Sequence, residues 1–272
     1  MKNNNIEYNF QKNLNLSLKK INKKKNKNIY VTSDLSSLSS LRVKKEKKLK
    51  IIFDTLKKSA GKNFTIFTPG ATLNLCGTNE IFDIKNTKSY KMGPLSEYIR
   101  NLNSRRSLHP YWSVVGVGKN SKLLKTVSKH SYGFGSPWSK MLELDTLQIN
   151  IGMHPSKAVT LIHHIETIMG VPYRFNKEFL HKIRLNNRII KKRFYMSVMF
   201  KASNALKRKK LNEHYFKILE KRKKLNYVLA KPGLKIWSFK MRDFYDIAVE
   251  QFINDEFNYL ERNPNLDFMK NL

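Results

Sequence analysis

Cysteine is all but absent: Cys76 is the only one in 272 residues. A single thiol closes no intramolecular disulfide and builds no thiolate metal cage, and a reducing cytosol is the expected compartment. Apolar runs of bilayer length are also missing, which predicts no membrane-spanning helix. The polar, basic N-terminus lacks the apolar core of a signal peptide. Acidic residues are scarce, with 20 Asp+Glu against 53 Lys+Arg, for a formal charge of +33. That excess suits nucleic acid, an anionic membrane surface or a phosphate-bearing ligand. Much of it is Lys mixed with Asn, as in Lys23-Lys24-Lys25-Asn26-Lys27-Asn28. An AT-biased genome produces such a drift on solvated faces, so charge alone leaves both readings open.

The chain has enough apolar residues for a full core: 40% are hydrophobic and 11% aromatic. Residues 1–27 read as a basic, low-complexity, flexible tail and 28–272 as one domain. Ile29 to Ser33 reads as a strand, with Ser33-Asp34 as a helix entry for Leu35 onward. Leu49, Ile52, Phe53 and Leu56 mark an amphipathic helix ending near Gly61. Further strands are expected at Phe64–Thr68, Trp112–Gly118, Leu147–Gly152, Phe194–Phe200 and Leu234–Phe239. Helices are expected at Pro94–Leu102, Ser121–Ser128, Thr160–Met169, around Leu211–Leu219 and at Phe244–Leu260. Strands alternating with helices predict an α/β sheet with helices on both faces. The segment Gly133-Phe134-Gly135-Ser136-Pro137 reads as a loop.

His163 and Glu166, three apart on the helix after the Leu147–Gly152 run, share a face. A carboxylate beside an imidazole raises its basicity and fixes its tautomer, as a general base requires. The competing reading is a polar helix face with an incidental pair. His154, His163 and His164 do not make a metal site, because adjacent histidines diverge on a helix and no cysteine pair supports them. Gly116-Val117-Gly118 lacks the third glycine of a dinucleotide fingerprint and reads as a tight turn. Arg105-Arg106 offers forked donors suited to phosphate, or a solvated loop. The lysines at Lys207–Lys210 and Lys221–Lys224 flank a helix and read as its solvated ends.

Taken in order, these segments resemble the aminoglycoside 3-N-acetyltransferase (antibiotic acetyltransferase) family over about residues 29 to 262. The resemblance is carried by Val31-Thr32-Ser33-Asp34-Leu35, Phe67-Thr68-Pro69, and Met92-Gly93-Pro94-Leu95 with Arg100. It continues through Arg106-Ser107-Leu108-His109-Pro110 with Ser113, and His130 with Gly135-Ser136-Pro137. It closes with Thr160, His163, Glu166, Val171-Pro172-Tyr173-Arg174 and Asp246-Ile247-Ala248-Val249. Asp34, Thr32 and Val159 depart from the family's usual serine, histidine and asparagine.

The resemblance implies an α/β/α sandwich around a central mixed sheet. It also implies acetyl transfer from acetyl-CoA to an amine of an amino sugar or aminocyclitol, without an acyl-enzyme. His163 would be the general base and Glu166 its partner. Ser33 and Leu35 would line the coenzyme A channel, and Arg106, Ser107, His109, Ser113 and Thr160 the active cleft. On charge, a phosphate-linked amino sugar suits a +33 protein better than a polycationic aminoglycoside, which is the second candidate acceptor. A non-catalytic basic nucleic-acid-binding protein is the third reading.

Overall fold

The structure, a computed structural model, describes residues 2–200 and 212–261. Its centre is a seven-stranded mixed sheet in the order β4-β5-β2-β1-β6-β10-β9. The strands are β1 (Asn28–Ser33), β2 (Thr65–Pro69), β4 (Arg105–Arg106), β5 (Val114–Gly118), β6 (Leu147–Ile151), β9 (Asn226–Ala230) and β10 (Leu234–Lys240). β2, β1 and β6 run parallel in the middle, and the outer strands pair antiparallel. A smaller sheet of β3 (Phe82–Asp83) and the long hairpin β7 (Arg174–Leu185) and β8 (Arg188–Met199) packs beside it. The expected α/β/α sandwich is therefore the observed architecture.

Side chains alternate across the central strands and feed two cores. Ile29, Val31, Leu147, Ile149 and Ile151 face one side with α1 (Lys2–Ile21), α2 (Lys45–Ala60) and α3 (Pro94–Arg100). Tyr30, Phe67 and Phe239 face the other with α4 (Pro137–Glu143), α5 (Leu161–Met169), α6 (Glu213–Lys221) and α7 (Met241–Asn254). Between Leu147 and Ile151 the alternate positions Gln148 and Asn150 are polar yet fully buried under the second layer. That run is thus apolar on one face and hydrogen-bonded on the other.

Four expectations change. Where a flexible tail is expected, Lys2–Ile21 form α1. Phe10, Leu14, Leu18 and Ile21 recur at helical spacing and are all buried. Each contributes roughly 1.5–3 kcal/mol on burial, which outweighs the polar composition around them. Leu35 onward forms only a single 3₁₀ turn, Ser36–Leu38, and Ser121–Ser128 is replaced by a 3₁₀ segment, Lys119–Lys125. The hairpin β7–β8 begins well before Phe194, its alternation hidden by basic residues interleaved with exposed apolar ones. Residues 201–211, with the Lys207–Lys210 run and Leu211, lie outside the described residues.

Candidate active site

The parallel strands end at one edge of the sheet, where open α/β folds place their ligands. There the loop after β1, the start of α3, the loop after β6 and the start of α5 enclose a cavity of about 750 Å³. Ser33, Leu35 and Thr160 line it, with Tyr30 and Trp112 among its aromatic walls. The Ser33 hydroxyl is buried and has no hydrogen-bond partner, so it is free to meet a bound group. Lys45, Lys48, Lys91 and Lys157 set a positive rim, and Asp34 is its one carboxylate. Asp34 Oδ1 accepts from the Ser36 amide at 3.0 Å, and this bond holds its carboxyl below the ordinary range. The departure at Asp34 therefore serves the 3₁₀ turn that follows it. The departure at Thr32 has a similar local use: its hydroxyl accepts from Asn150 Nδ2 at 2.7 Å.

The loop after β6 turns at Gly152, with φ of +78°. A Cβ there would overlap the Asp34 carbonyl oxygen, so only glycine brings the two rim loops this close. Beyond the rim, α5 starts at Thr160, and one turn on it carries His163 and Glu166. His163 Nδ1 lies 2.6 Å from Glu166 Oε2. Glu166 is fully buried, accepts from Tyr173 Oη at 2.9 Å, and faces Arg174 Nε at 3.0 Å. That nitrogen pairs with the carboxylate by charge, its N–H not being aimed at the oxygen. Burial pushes the Glu166 carboxyl up, but the His163 contact and the Arg174 charge outweigh it and leave the group below its ordinary range.

Arg174 Nη2 also approaches His163 Nδ1, at 3.1 Å. One ring nitrogen cannot accept from the guanidinium and donate to the carboxylate together. The shorter contact to an ionised carboxylate takes the proton, which fixes the tautomer with the lone pair on Nε2. An imidazole so arranged can remove a proton, and the ion-paired carboxylate stabilises the imidazolium that forms. Tyr132 and Tyr259 set their rings 5.6 and 5.9 Å from that of His163.

The remaining candidates are brought to a different place. Arg106 is buried, with Nε on Ser113 Oγ at 2.8 Å, Nη1 on the Thr87 carbonyl and Nη2 on the Gly70 carbonyl. Ser107 Oγ accepts from the Val114 amide, and Ser113 Oγ donates to Gly70. His109 Nδ1 accepts from the amides of Tyr111 and Trp112 while Nε2 contacts the Tyr195 carbonyl at 3.1 Å. Burial lowers its pKa to about 4. These four side chains are engaged around β5 and its neighbours, and like His163 and Glu166 they are not among the residues lining the cavity. Their segment reaches the cavity through Trp112 alone. His164, on the opposite face of α5, accepts from the Gly133 amide and so ties down the glycine-rich loop. Tyr173 and Arg174 are the partners that sequence reasoning left without a role. Their signal was their fixed place just after the helix that bears Glu166.

Among the described residues no group of three or more His, Cys, Asp and Glu could hold a metal ion, and no helix is long and apolar enough to cross a membrane.

A mixed α/β sandwich with a lysine-rimmed cleft and a carboxylate-backed imidazole defines a class of transferase. The model of the aminoglycoside 3-N-acetyltransferase family matches residues 31–253, and the chain belongs to that family. It is accordingly an N-acetyltransferase that uses acetyl-CoA. No curated protein matches it in sequence. Among solved structures it is similar to YokD from Bacillus subtilis, with TM-score 0.73 and 18% identity over 91% of this chain and 94% of that one. It is also similar to AAC-VIa bound to sisomicin, with TM-score 0.71 and 16% identity over 88% and 96%. AAC-IIIb with coenzyme A gives TM-score 0.72 and 15% identity over 93% and 98%. At these identities the likeness is one of fold.

Proposed function

We propose that this protein acetylates an amine of a polycationic, aminoglycoside-type acceptor, with His163 as general base and Glu166 as its orienting partner. The observation that carries the reading is the 2.6 Å contact between His163 Nδ1 and the buried, ion-paired Glu166 carboxylate. Acetyl-CoA brings an activated thioester carbonyl. The cavity walls hold it: the four rim lysines suit its phosphates, and the Ser33 hydroxyl and Leu35 suit its arm. His163 Nε2 takes the proton of the acceptor amine as the nitrogen attacks the thioester carbonyl, which is worth about 10²–10⁴-fold in rate; the C–S bond then breaks, and the coenzyme A thiolate leaves with that proton from the imidazolium. Transfer is direct. Cys76 is a poor competing nucleophile, because partial burial raises its pKa.

The choice of acceptor reverses the one drawn from net charge. Family membership favours an aminoglycoside over a phosphate-linked amino sugar. The fold also gathers the scarce acids. Asp243, Asp246, Glu250, Asp255, Glu256 and Glu261 are six of the twenty, and no basic residue lies between Asp243 and Glu261. This segment carries Tyr259, whose ring stands against His163. Asp243 and Glu250 are ion-paired to Lys224 and Arg222, while Asp246, Asp255, Glu256 and Glu261 are exposed. These exposed carboxylates support a locally acidic acceptor side on a basic protein, which would attract ammonium groups toward the base.

The test compares a kanamycin-like aminoglycoside with a nucleotide-linked amino sugar as acceptors for the wild type and His163→Ala. Transfer to the aminoglycoside that disappears in the variant, with the melting temperature kept, is the expected result. Transfer only to the nucleotide sugar overturns the acceptor, and wild-type turnover in His163→Ala overturns the base.

A further inference from the structure

At the opposite edge of the sheet from the cleft, a second pocket of about 380 Å³ opens where β6 and β9 begin and β10 ends. It is ringed by Lys20, Lys23, Lys24, Lys223, Lys224 and Lys240. Two of these charges are neutralised in place, Lys224 by Asp243 at 2.6 Å and Lys240 by Asp145 at 2.5 Å. Lys20, Lys23, Lys24 and Lys223 make no ion pair among the described residues. Four lysines with no ion pair among the described residues, drawn from two distant parts of the chain, therefore line one concavity. That arrangement costs free energy in the empty state, and an anion relieves it.

The lysines sit on turns that are built in advance. Asn22, buried, accepts from the Asn26 amide at 2.7 Å and donates to the carbonyls of Asn26 and Ser59, which fixes the turn bearing Lys23 and Lys24 to α2. Ser238 Oγ donates to the Ile21 carbonyl at 3.2 Å and holds the end of α1 on β10. Across the pocket, the amides of Lys223 and Lys224 bond back to Glu220 and Leu219 at the end of α6. A site whose backbone is already ordered loses little entropy on binding. Its lining contains no aromatic ring, so it offers no platform on which bases could stack. Lysine supplies point charges suited to phosphate oxygens.

We propose that this pocket binds a compact oligophosphate anion, independently of the acyl-transfer cleft. The full-length protein is titrated with inorganic tripolyphosphate in saturating coenzyme A, which occupies the lysines of the cleft. One-to-one binding that weakens as salt rises is expected. Lys23→Glu with Lys223→Glu is expected to lower the affinity at least tenfold. The hairpin pair Lys182→Glu with Lys191→Glu, which face each other across β7 and β8, changes charge equally and is expected to lower it less than threefold. The pocket variant should retain acetyl transfer and melt no lower than wild type, since it removes like-charge repulsion. Lys23→Gln with Lys223→Gln repeats the test without charge reversal. Absent binding, displacement by coenzyme A, or equal losses in the pocket and hairpin variants overturn the proposal. So does tighter binding of a single-stranded RNA without terminal phosphates, which would make the surface a nucleic-acid contact.

Discussion

Acidification from pH 6.5 towards 4 is expected to strip about 3.5 kcal/mol of stability for each of two buried histidines. His109 and His164 are each 2% exposed, and burial lowers the pKa of both to about 4 from the ordinary 6.5. Each pH unit of that gap is worth about 1.4 kcal/mol. The unfolded chain takes up the proton first, near pH 6.5, while the folded imidazole refuses it until about pH 4. The neutral rings therefore stabilise the fold fully above pH 6.5, and the contribution drains away through that window as pH falls. His181, also buried with a lowered pKa, adds in the same direction. Two sites together amount to roughly 7 kcal/mol, a large share of the roughly 5–15 kcal/mol that holds a typical protein folded. Urea midpoints at pH 6.5, 5.5 and 4.5 read the effect. His109→Gln combined with His164→Gln should lower stability at pH 6.5 and flatten its slope against pH. A wild-type curve that is flat over the window, or a double variant that keeps the full slope, refutes the argument.

Glu166→Gln should reduce kcat by about 10²–10⁴-fold, since the His163 imidazolium loses its counter-charge. It should also cost about 3–5 kcal/mol in urea unfolding, because Arg174 is left buried without its carboxylate. An unchanged kcat would remove the orienting role. Gly152→Ala forces a left-handed backbone and a clash with Asp34, so a loss of at least about 2 kcal/mol is expected by thermal melting, together with a higher KM for acetyl-CoA. Asp255→Lys with Glu256→Lys should raise KM for an aminoglycoside at least tenfold and leave KM for acetyl-CoA within about twofold. Initial-rate kinetics with each substrate varied separates the two, and equal changes in both would count against an acidic acceptor side.

The pieces legible in the chain were those whose pattern is local. β1, β2, β6 and β10 announce themselves as short apolar runs, and α2 by the period of Leu49, Ile52, Phe53 and Leu56. The His163–Glu166 pair follows from helical spacing. α1 was hidden because its four buried residues are diluted among Lys and Asn, and composition outvoted the stripe at 10, 14, 18 and 21. The hairpin was missed because basic residues such as Lys182, Arg184, Lys191 and Arg193 are interleaved with exposed apolar ones such as Leu180 and Ile189, which blurs a period of two. The Arg106–Ser113 segment shows the harder limit. Its residue types suit a cleft as well as they suit a bracket, and only tertiary contacts reveal that Thr87, Gly70 and Tyr195 consume their donors. The acidic stretch from Asp243 to Glu261 was masked by a whole-chain charge that averages over it.

Helix α1 has one more consequence, for the order in which the chain assembles. Its contacts are with α2, β9 and β10, and the Ser238–Ile21 bond joins residues 217 apart. The first helix of this sequence therefore has half of its seat built from strands near the other end. A growing chain can form the helical turns of α1 early, yet its apolar stripe stays uncovered on that side until β9 and β10 are in place. Contacts of such long sequence separation slow folding. The N-terminal segment is thus the part of this protein expected to need shielding during synthesis, and a truncation that stops short of β10 should leave Phe10, Leu14 and Leu18 open to association with other chains.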